Sequence, residues 1–282
     1  MTTIDDFGSF ETAWCPGCGN TGILKSLKQA LADMDIPPHK LGMVSGIGQA
    51  AKTPQYLNCN MFNGLHGRSL PAAQGAKLAN PELTVIVDSG DGCSYGEGGN
   101  HFMAAVRRNV NMTLLAHDNQ IYGLTKGQAS PTTAHGQKTK AQPYGAPSEP
   151  FNPVLVATAM KASFVARSFS GDMDHLTKMI KQAVNHKGFA LVDILQPCVS
   201  FNKINTFKWY KERCYHLEDH DPTNWEAAIA KAAEFGEQIP IGVIWKTDKP
   251  VFGEDNPAMN GEPLATRKYD KTALADVVKS FA

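Results

Sequence analysis

Two short sets of residues have types and a spacing that could do chemistry: Gly90-Asp91-Gly92, and Asp118-Asn119, with Asn119 lying 28 positions beyond Asp91. Each follows an apolar run, 83–88 for the first and 112–117 for the second. Continuous β-branched runs of this kind read as strands covered on both faces. The residues between them, with Phe102, Ala105 and Val106 on one side, fit a helix over 100–108. Strand, helix and strand in so few residues make a βαβ unit and hence a parallel sheet with right-handed crossovers. Such sheets bind ligands at the carboxyl ends of their strands, so both sets reach the same edge. There the glycines let backbone N–H groups approach a phosphate closely. Asp91 supplies a hard carboxylate oxygen and Asn119 a neutral amide oxygen, a pair suited to a Mg²⁺ that shares its shell with a diphosphate. A lone Gly-Asp-Gly serves equally well as a tight turn, and it is the asparagine after the next strand that favours the diphosphate.

The second chemical feature is Cys15-Pro-Gly-Cys18, with Cys59, Cys93, Cys198 and Cys214 further on. The N-terminal run MTTIDDFGSFETAW is acidic and polar and does not read as a signal peptide, which makes the cytoplasm the expected compartment. Disulfides are not expected there. By itself the CxxC pair leaves zinc, a redox dithiol and an iron–sulfur site open. A structural zinc needs four ligands and no second CxxC exists; a thioredoxin-like pair would follow a strand, and this one lies near the N-terminus. Cys59 and Cys93 can also be ordinary small buried thiols, and Cys214 a structural one.

The elements that must position these residues follow from the rest of the chain. Ile23, Leu24, Leu27, Ala30 and Leu31 share one helix face, and Pro37-Pro38 ends that unit. A strand over 41–45 runs into Ser45-Gly46-Ile47-Gly48, and a helix is expected over 71–78. The segment 125–150, rich in Gly, Pro, Thr, Gln and Ser, reads as a long functional loop. Alternation then resumes with a helix over 153–162, a strand over 164–168, a helix over 173–185 and a strand over 189–195. The expected fold is an α/β parallel-sheet diphosphate-binding domain over 41–198. It follows an N-terminal segment, 1–40, that carries the CxxC motif, and precedes a C-terminal wrapping extension, 199–282, with one further strand over 239–246. The chain is 42% hydrophobic, enough for one large core. Lys+Arg and Asp+Glu balance at 27 each, which gives no electrostatic case for nucleic acid or an anionic membrane. No apolar stretch approaches the roughly 20 residues of a membrane span.

Several motifs then occur in order: Trp14-Cys-Pro-Gly-Cys-Gly19, Ser45-Gly-Ile-Gly48, Gly64-Leu-His-Gly-Arg68, Gly98-Gly-Asn-His101, Asn119-Gln-Ile-Tyr-Gly-Leu-Thr-Lys-Gly-Gln128 and Gln196-Pro-Cys198. Gly90-Asp91-Gly92 through Asp118-Asn119 resembles the thiamine-diphosphate signature, with Asp118 replacing the first of its two asparagines. Together, and over nearly the whole chain, the motifs resemble the β subunit of 2-oxoacid:ferredoxin oxidoreductases. The run Tyr122 to Pro131 looks more like the 2-oxoglutarate and broad-range members than the pyruvate members.

The resemblance implies thiamine diphosphate held through Mg²⁺ by Asp91, Asn119 and the backbone carbonyl of Ile121. The cofactor would be lined by Ser45, Gly46, Ile47, Gly48, His66, Gly90, Gly92, Cys93, Tyr122, Gly123, Leu124 and Thr125. It also implies a [4Fe–4S] cluster with Cys15, Cys18 and Cys198 as ligands. Where the family has its fourth cysteine, after the Ser-Gly-Ile-Gly turn, this chain has Gln49. Cys59 could take the place, a non-cysteine or partner-chain ligand could complete the site, or the cluster could be three-coordinate, labile or absent. Of these, Cys59 is the expected ligand. His66 and Arg68 are expected beside the cofactor, as proton relay and anion grip; Lys52 could pair with the distal carboxylate of a dicarboxylic 2-oxoacid, and Lys126 with substrate or coenzyme A. His101 could simply cap or pack. The pyrimidine-binding domain that carries the activating glutamate of thiamine enzymes is not recognisable in the chain. The implied protein is therefore inactive without an α subunit, in an α₂β₂ assembly that passes electrons to ferredoxin. A non-redox thiamine decarboxylase or synthase subunit would explain the diphosphate residues but not the cysteines, and a zinc-stabilised interaction subunit the reverse.

Overall fold

In the computed structural model, which describes residues 1–259, 261–268 and 271–281, apolar runs become the centre of one sheet. Strands β1 (Leu41–Ser45), β3 (Thr84–Gly90), β4 (Met112–Asp118), β5 (Phe164–Phe169) and β6 (Phe189–Leu195) are buried along almost their whole length. With β2 (Asn60–Asn63), β7 (Cys214–His216) and β8 (Ile239–Lys246) they form an eight-stranded sheet in the order β2-β1-β3-β4-β6-β5-β8-β7. The first six strands in that order are mutually parallel; β8 joins β5 antiparallel and carries β7 parallel to itself. The expected parallel sheet is therefore extended by two C-terminal strands, and the segment read as a wrapping extension completes the sheet as well.

Helices cover both faces. On one, α1 (Gly19–Asp33) lays Ile23, Leu27, Ala30 and Leu31 against Leu176, Met179, Ile180 and Ala183 of α5 (Met173–Asn185). The three-and-four spacing of both sets gives each helix one apolar stripe, and Asp172 starts α5 by accepting the His175 N–H at 3.2 Å. On the other face lie α2 (Ser69–Ala79), α3 (Gly99–Arg108), α4 (Pro153–Ala159) and α7 (Trp225–Ala233), sharing a second core with Phe102, Val106, Val154 and Ala228. The short helix α6 (Phe207–Lys211) buries Tyr210 beside β6 and β8, and α8 (Lys271–Lys279) closes the described chain.

Strand β2 carries no periodic signal. All four of its residues are exposed, and pairing with β1 holds it in place. Its two asparagines add hydrogen bonds: Asn60 Nδ2 donates to the carbonyls of His39 and Leu41, and Asn63 Nδ2 to Ser45 Oγ and the Gly46 carbonyl.

Candidate active site at the carboxyl edge of the sheet

Strands β1, β3 and β4 run parallel and in register, so Ser45, Gly90 and Asp118 end at one edge. Beyond β3 the chain makes one wide π-helical turn, Gly92–Glu97, before α3. Such turns recur at functional sites because they re-aim groups that an α-helix would fix elsewhere. Asp91 at its start is 3% exposed. Its Oδ2 accepts hydrogen bonds from Ser130 Oγ and Thr132 Oγ1, both at 2.6 Å. Burial holds the Asp91 carboxyl above the usual range. Thr132 Oγ1 is also 2.7 Å from Asp118 Oδ1, so one hydroxyl ties the two acidic positions together. Burial, and then the neighbouring Asp193 and Asp91, push Asp118 far above an ordinary carboxylate. Buried carboxyls of this kind ionise at low cost only where a cation neutralises them, and the oxygens of Asp91 and Asn119 are a donor set suited to a divalent ion.

Asn119 is fixed on both sides of its amide: Oδ1 accepts the Ile121 N–H at 3.1 Å, and Nδ2 donates to Gln196 Oε1 at 3.1 Å. The oxygen keeps a second lone pair for a metal. Ile121 is buried in the same turn, which closes on itself through the Tyr122 N–H to the Gln128 carbonyl and the Gly127 N–H to the Tyr122 carbonyl. Gly123 lies inside this turn; Leu124, Thr125 and Lys126 lie exposed on it, Lys126 with a left-handed φ of 74°. Tyr122 covers the Gly-Asp-Gly turn so closely that a Cβ at Gly92 would stand 2.1 Å from its ring.

Ser45, Gly46, Ile47 and Gly48 form the adjoining lip, with Ser45 Oγ donating to the Ala51 carbonyl at 3.0 Å. Cys93 is buried beneath it: its sulfur accepts the Gly67 N–H at 3.2 Å, and a Cβ at Gly46 would meet it at 2.3 Å. His66 Nδ1 stands 3.0 Å from Glu97 Oε2, and Tyr122 OH donates to the same oxygen at 3.1 Å. Arg68 is exposed, its Nη1 turned to the Gly67 carbonyl; Lys52 is half-buried in the turn Ala50–Tyr56 that follows the lip. Glu97 and Thr132 are site residues outside the sequence motifs, while Ser130 and Gln196 lie within motifs that assigned them no role. The density of hydroxyls in Ser130-Pro-Thr-Thr133 was the available signal.

Behind the metal-ligand candidates lies a cavity of about 230 Å³ lined by Asp118, Thr132, Arg167, Asp193 and Phe235, among others. Arg167 is fully buried, donating to the last carbonyls of α7, Ala232 and Glu234. It partly offsets the burial that pushes Asp193 up to about 6, and Tyr95 OH donates to Asp193 Oδ1 at 2.8 Å.

The CxxC segment packs against the end of β6. The Gly19 N–H donates to the Pro197 carbonyl at 3.3 Å, Gln196 Nε2 lies 3.6 Å from Cys18 Sγ, and Ser200 Oγ donates to Cys15 Sγ at 3.0 Å. Burial, joined by the nearby Cys198 and Cys15, raises the Cys18 thiol to about 11. A Cβ at Gly123 would stand 3.8 Å from Cys198 Sγ, so the three cysteines adjoin the Asn119–Gln128 turn. Among the described residues no three His, Cys, Asp or Glu side chains form a group able to hold a single metal ion. An iron–sulfur cube takes its thiolates at separate irons, so its ligands need not converge on one point. Cys59 departs from expectation. Its sulfur faces the Pro54 and Leu57 carbonyls at 4.0 and 3.8 Å, packed against the core beneath α1, and burial alone raises its thiol. Cys214 lies on β7, away from this edge.

Known proteins share this arrangement. Residues 41–194 match the model of the thiamine pyrophosphate enzyme C-terminal TPP binding domain, and residues 198–260 match that of the C-terminal part of the pyruvate ferredoxin oxidoreductase beta subunit. The chain is 47% identical over 244 residues to subunit beta of 2-oxoacid:ferredoxin oxidoreductase 1 of Aeropyrum pernix, covering 82% of this chain and 77% of that one. This chain belongs to the β subunits of the 2-oxoacid:ferredoxin oxidoreductases. Another relative of this β subunit is the 2-oxoglutarate synthase subunit KorB of Methanocaldococcus jannaschii, 33% identical over 250 residues, 86% of this chain and 90% of that one. The fold superposes with a TM-score of 0.91, at 37% identity over 98% of this chain and 96% of the other, on 2-oxoglutarate:ferredoxin oxidoreductase from Magnetococcus marinus with 2-oxoglutarate, coenzyme A and succinyl-CoA bound. Among the described residues of this β subunit no helix is long and apolar enough to cross a membrane.

Proposed function

We propose that this β subunit works in a cytoplasmic 2-oxoglutarate:ferredoxin oxidoreductase that converts 2-oxoglutarate and coenzyme A to succinyl-CoA, or runs the reverse carboxylation, with ferredoxin as electron carrier. The observation that carries the reading is the buried Asp91. It is held by Ser130 and Thr132 beside Asn119, at the strand ends where a diphosphate would meet the backbone of Gly90–Gly92. The substrate is supported by likeness to relatives named for 2-oxoglutarate and to a solved complex that contains it.

Asp91, Asn119 and the Ile121 carbonyl would hold Mg²⁺, and through it thiamine diphosphate. When bound, that cofactor supplies the carbanion stabilisation and electron sink that decarboxylation needs. The chain's own groups set the surroundings. The lip 45–48 and the Tyr122 ring would shield a bound diphosphate from water. At the mouth of the site Glu97 Oε2 accepts the Tyr122 hydroxyl, with His66 Nδ1 3.0 Å away. Arg68, Lys52 and Lys126 are the cations available to the carboxylates of substrate and to coenzyme A. Cys15, Cys18 and Cys198 would hold a [4Fe–4S] cluster next to the Asn119–Gln128 turn, within reach of the cofactor. The site is completed by an α subunit: Ile47, Met61, Phe62, Leu65 and Leu124 form an exposed apolar rim around this edge. An α₂β₂ assembly and a division of the chain at 40 and 198 go with this reading.

Anaerobic co-purification with the α subunit, followed by thiamine, magnesium, iron and sulfide analysis, tests it. The expected result is all four in the wild type, with thiamine diphosphate and magnesium lost in Asp91→Ala while iron and sulfide remain. Unchanged thiamine diphosphate in Asp91→Ala would refute the site. Iron and sulfide near zero in the wild type would favour a non-redox thiamine enzyme.

A further inference from the structure

We propose that Gln49, through its side-chain oxygen Oε1, occupies the fourth coordination position of the cluster whose other ligands are Cys15, Cys18 and Cys198. The assignment holds only if the cluster proposed for these cysteines is present.

Gln196, Ser200 and Gln49 are among the oxygen-bearing side chains near the CxxC segment, and Gln196 Oε1 already accepts the Asn119 amide at 3.1 Å. Ser200 is already engaged, donating its hydroxyl to Cys15 Sγ at 3.0 Å. Gln49 is tied to the segment by Trp14, the residue before Cys15, whose Nε1 donates to the Gln49 carbonyl at 2.9 Å. Trp14 is itself buried and wedged edge-on against Tyr56, so the tie is rigid. The Gln49 side-chain oxygen is buried with no hydrogen-bond partner. A buried acceptor left in this way costs about 1–3 kcal/mol, so such atoms usually mark a missing partner. An iron at the open corner of a three-thiolate cube is a partner of the right kind. Cys59, the other candidate, is turned to the Pro54 and Leu57 carbonyls in the core.

The chemistry of this corner differs from that of a thiolate. An amide oxygen is neutral and hard, so it binds the fourth iron weakly and leaves the cluster one negative charge poorer. Two consequences follow. The cluster's reduction potential is higher than with four thiolates, the direction seen when neutral imidazoles replace thiolates in Rieske centres. The fourth iron is also labile: it leaves as Fe²⁺ from [4Fe–4S]²⁺ to give [3Fe–4S]⁰, and a one-electron oxidant such as ferricyanide then gives [3Fe–4S]⁺.

The test compares anaerobically purified complexes of wild type, Gln49→Leu, Gln49→Cys and Cys59→Ser by iron and sulfide content, EPR and potentiometry. The wild type is expected to fall from about four irons to about three on ferricyanide treatment, with the EPR signal of an oxidised three-iron cluster. Gln49→Leu is expected to hold three irons before any oxidant is added. Gln49→Cys should keep four and show a lower potential, and Cys59→Ser should match the wild type. A Gln49→Leu complex with four irons and an unchanged spectrum would overturn the assignment while leaving the cluster in place. Loss of the fourth iron in Cys59→Ser would also overturn it, in favour of Cys59. If Gln49→Leu does not accumulate, wild type against Gln49→Cys decides, and equal resistance to iron loss refutes the proposal. A wild-type complex without iron or sulfide would remove the cluster reading and this assignment together.

Discussion

Asp91 and Asn119 act through what their neighbours do to them. The Asp91 carboxyl is buried, oriented by two hydroxyls and tied through Thr132 to Asp118, which suits the proposed Mg²⁺ better than a solvated surface carboxylate would. Gly92 matters for a steric reason. The Tyr122 ring lies where its side chain would be, and a Cβ there would stand 2.1 Å from the ring's Cε1. Gly92→Ala must therefore displace the ring or the turn, an overpacking that typically costs about 1–3 kcal/mol. The expected outcome is a lower melting temperature together with weaker thiamine diphosphate retention, measured by thermal unfolding and cofactor titration. An alanine variant with wild-type values of both would show that the ring does not seal the turn.

At the scale of elements, α5 meets β7 through two stacked histidines. The rings of His175 and His216 lie 4.8 Å apart. His216 Nε2 is 2.9 Å from Asp172 Oδ2, and His175 Nδ1 is 2.9 Å from Ser168 Oγ. Burial, and then the nearby His216, push His175 down to about 4 from an ordinary value of 6.5. A histidine that stays neutral in the folded state while the unfolded chain takes up a proton loses stability as pH falls. The contribution is complete above pH 6.5 and is lost progressively between 6.5 and about 4. Chemical denaturation across that window should show a loss in the wild type that His175→Gln reduces. An identical pH slope in the two proteins would place the acid sensitivity elsewhere.

For the whole molecule, the sheet has one polar edge that carries the chemistry and an exposed apolar rim beside it. Met61 and Phe62 on edge strand β2 are more than half exposed, and Leu65 is 75% exposed. Surfaces of this kind mark association, and an edge strand left open invites a partner. Phe62→Asp should fold normally and weaken association with the α subunit, as read by co-purification and analytical ultracentrifugation. Undiminished association would mean that the α subunit docks on another face.

The sequence by itself determined the central strands, the diphosphate turn and its paired asparagine, the CxxC motif and the family. These are local patterns: continuous apolar runs, three-and-four helical spacing, and motifs whose chemistry lies in adjacent residues. It missed β2, whose Asn60-Met-Phe-Asn63 has no apolar periodicity because both faces are open. It read 239–246 as a strand but missed β7 and the place of both in the sheet, because the antiparallel pairing of β8 with β5 joins segments far apart in the chain. Only the tertiary structure decided the rest. It brought Ser130 and Thr132 from a loop to Asp91, set Glu97 between His66 and Tyr122, packed Cys59 against the core, and left the Gln49 oxygen buried without a partner. Each of these depends on which side chains meet across the fold and which lose water, and neither quantity is written in any local stretch of chain.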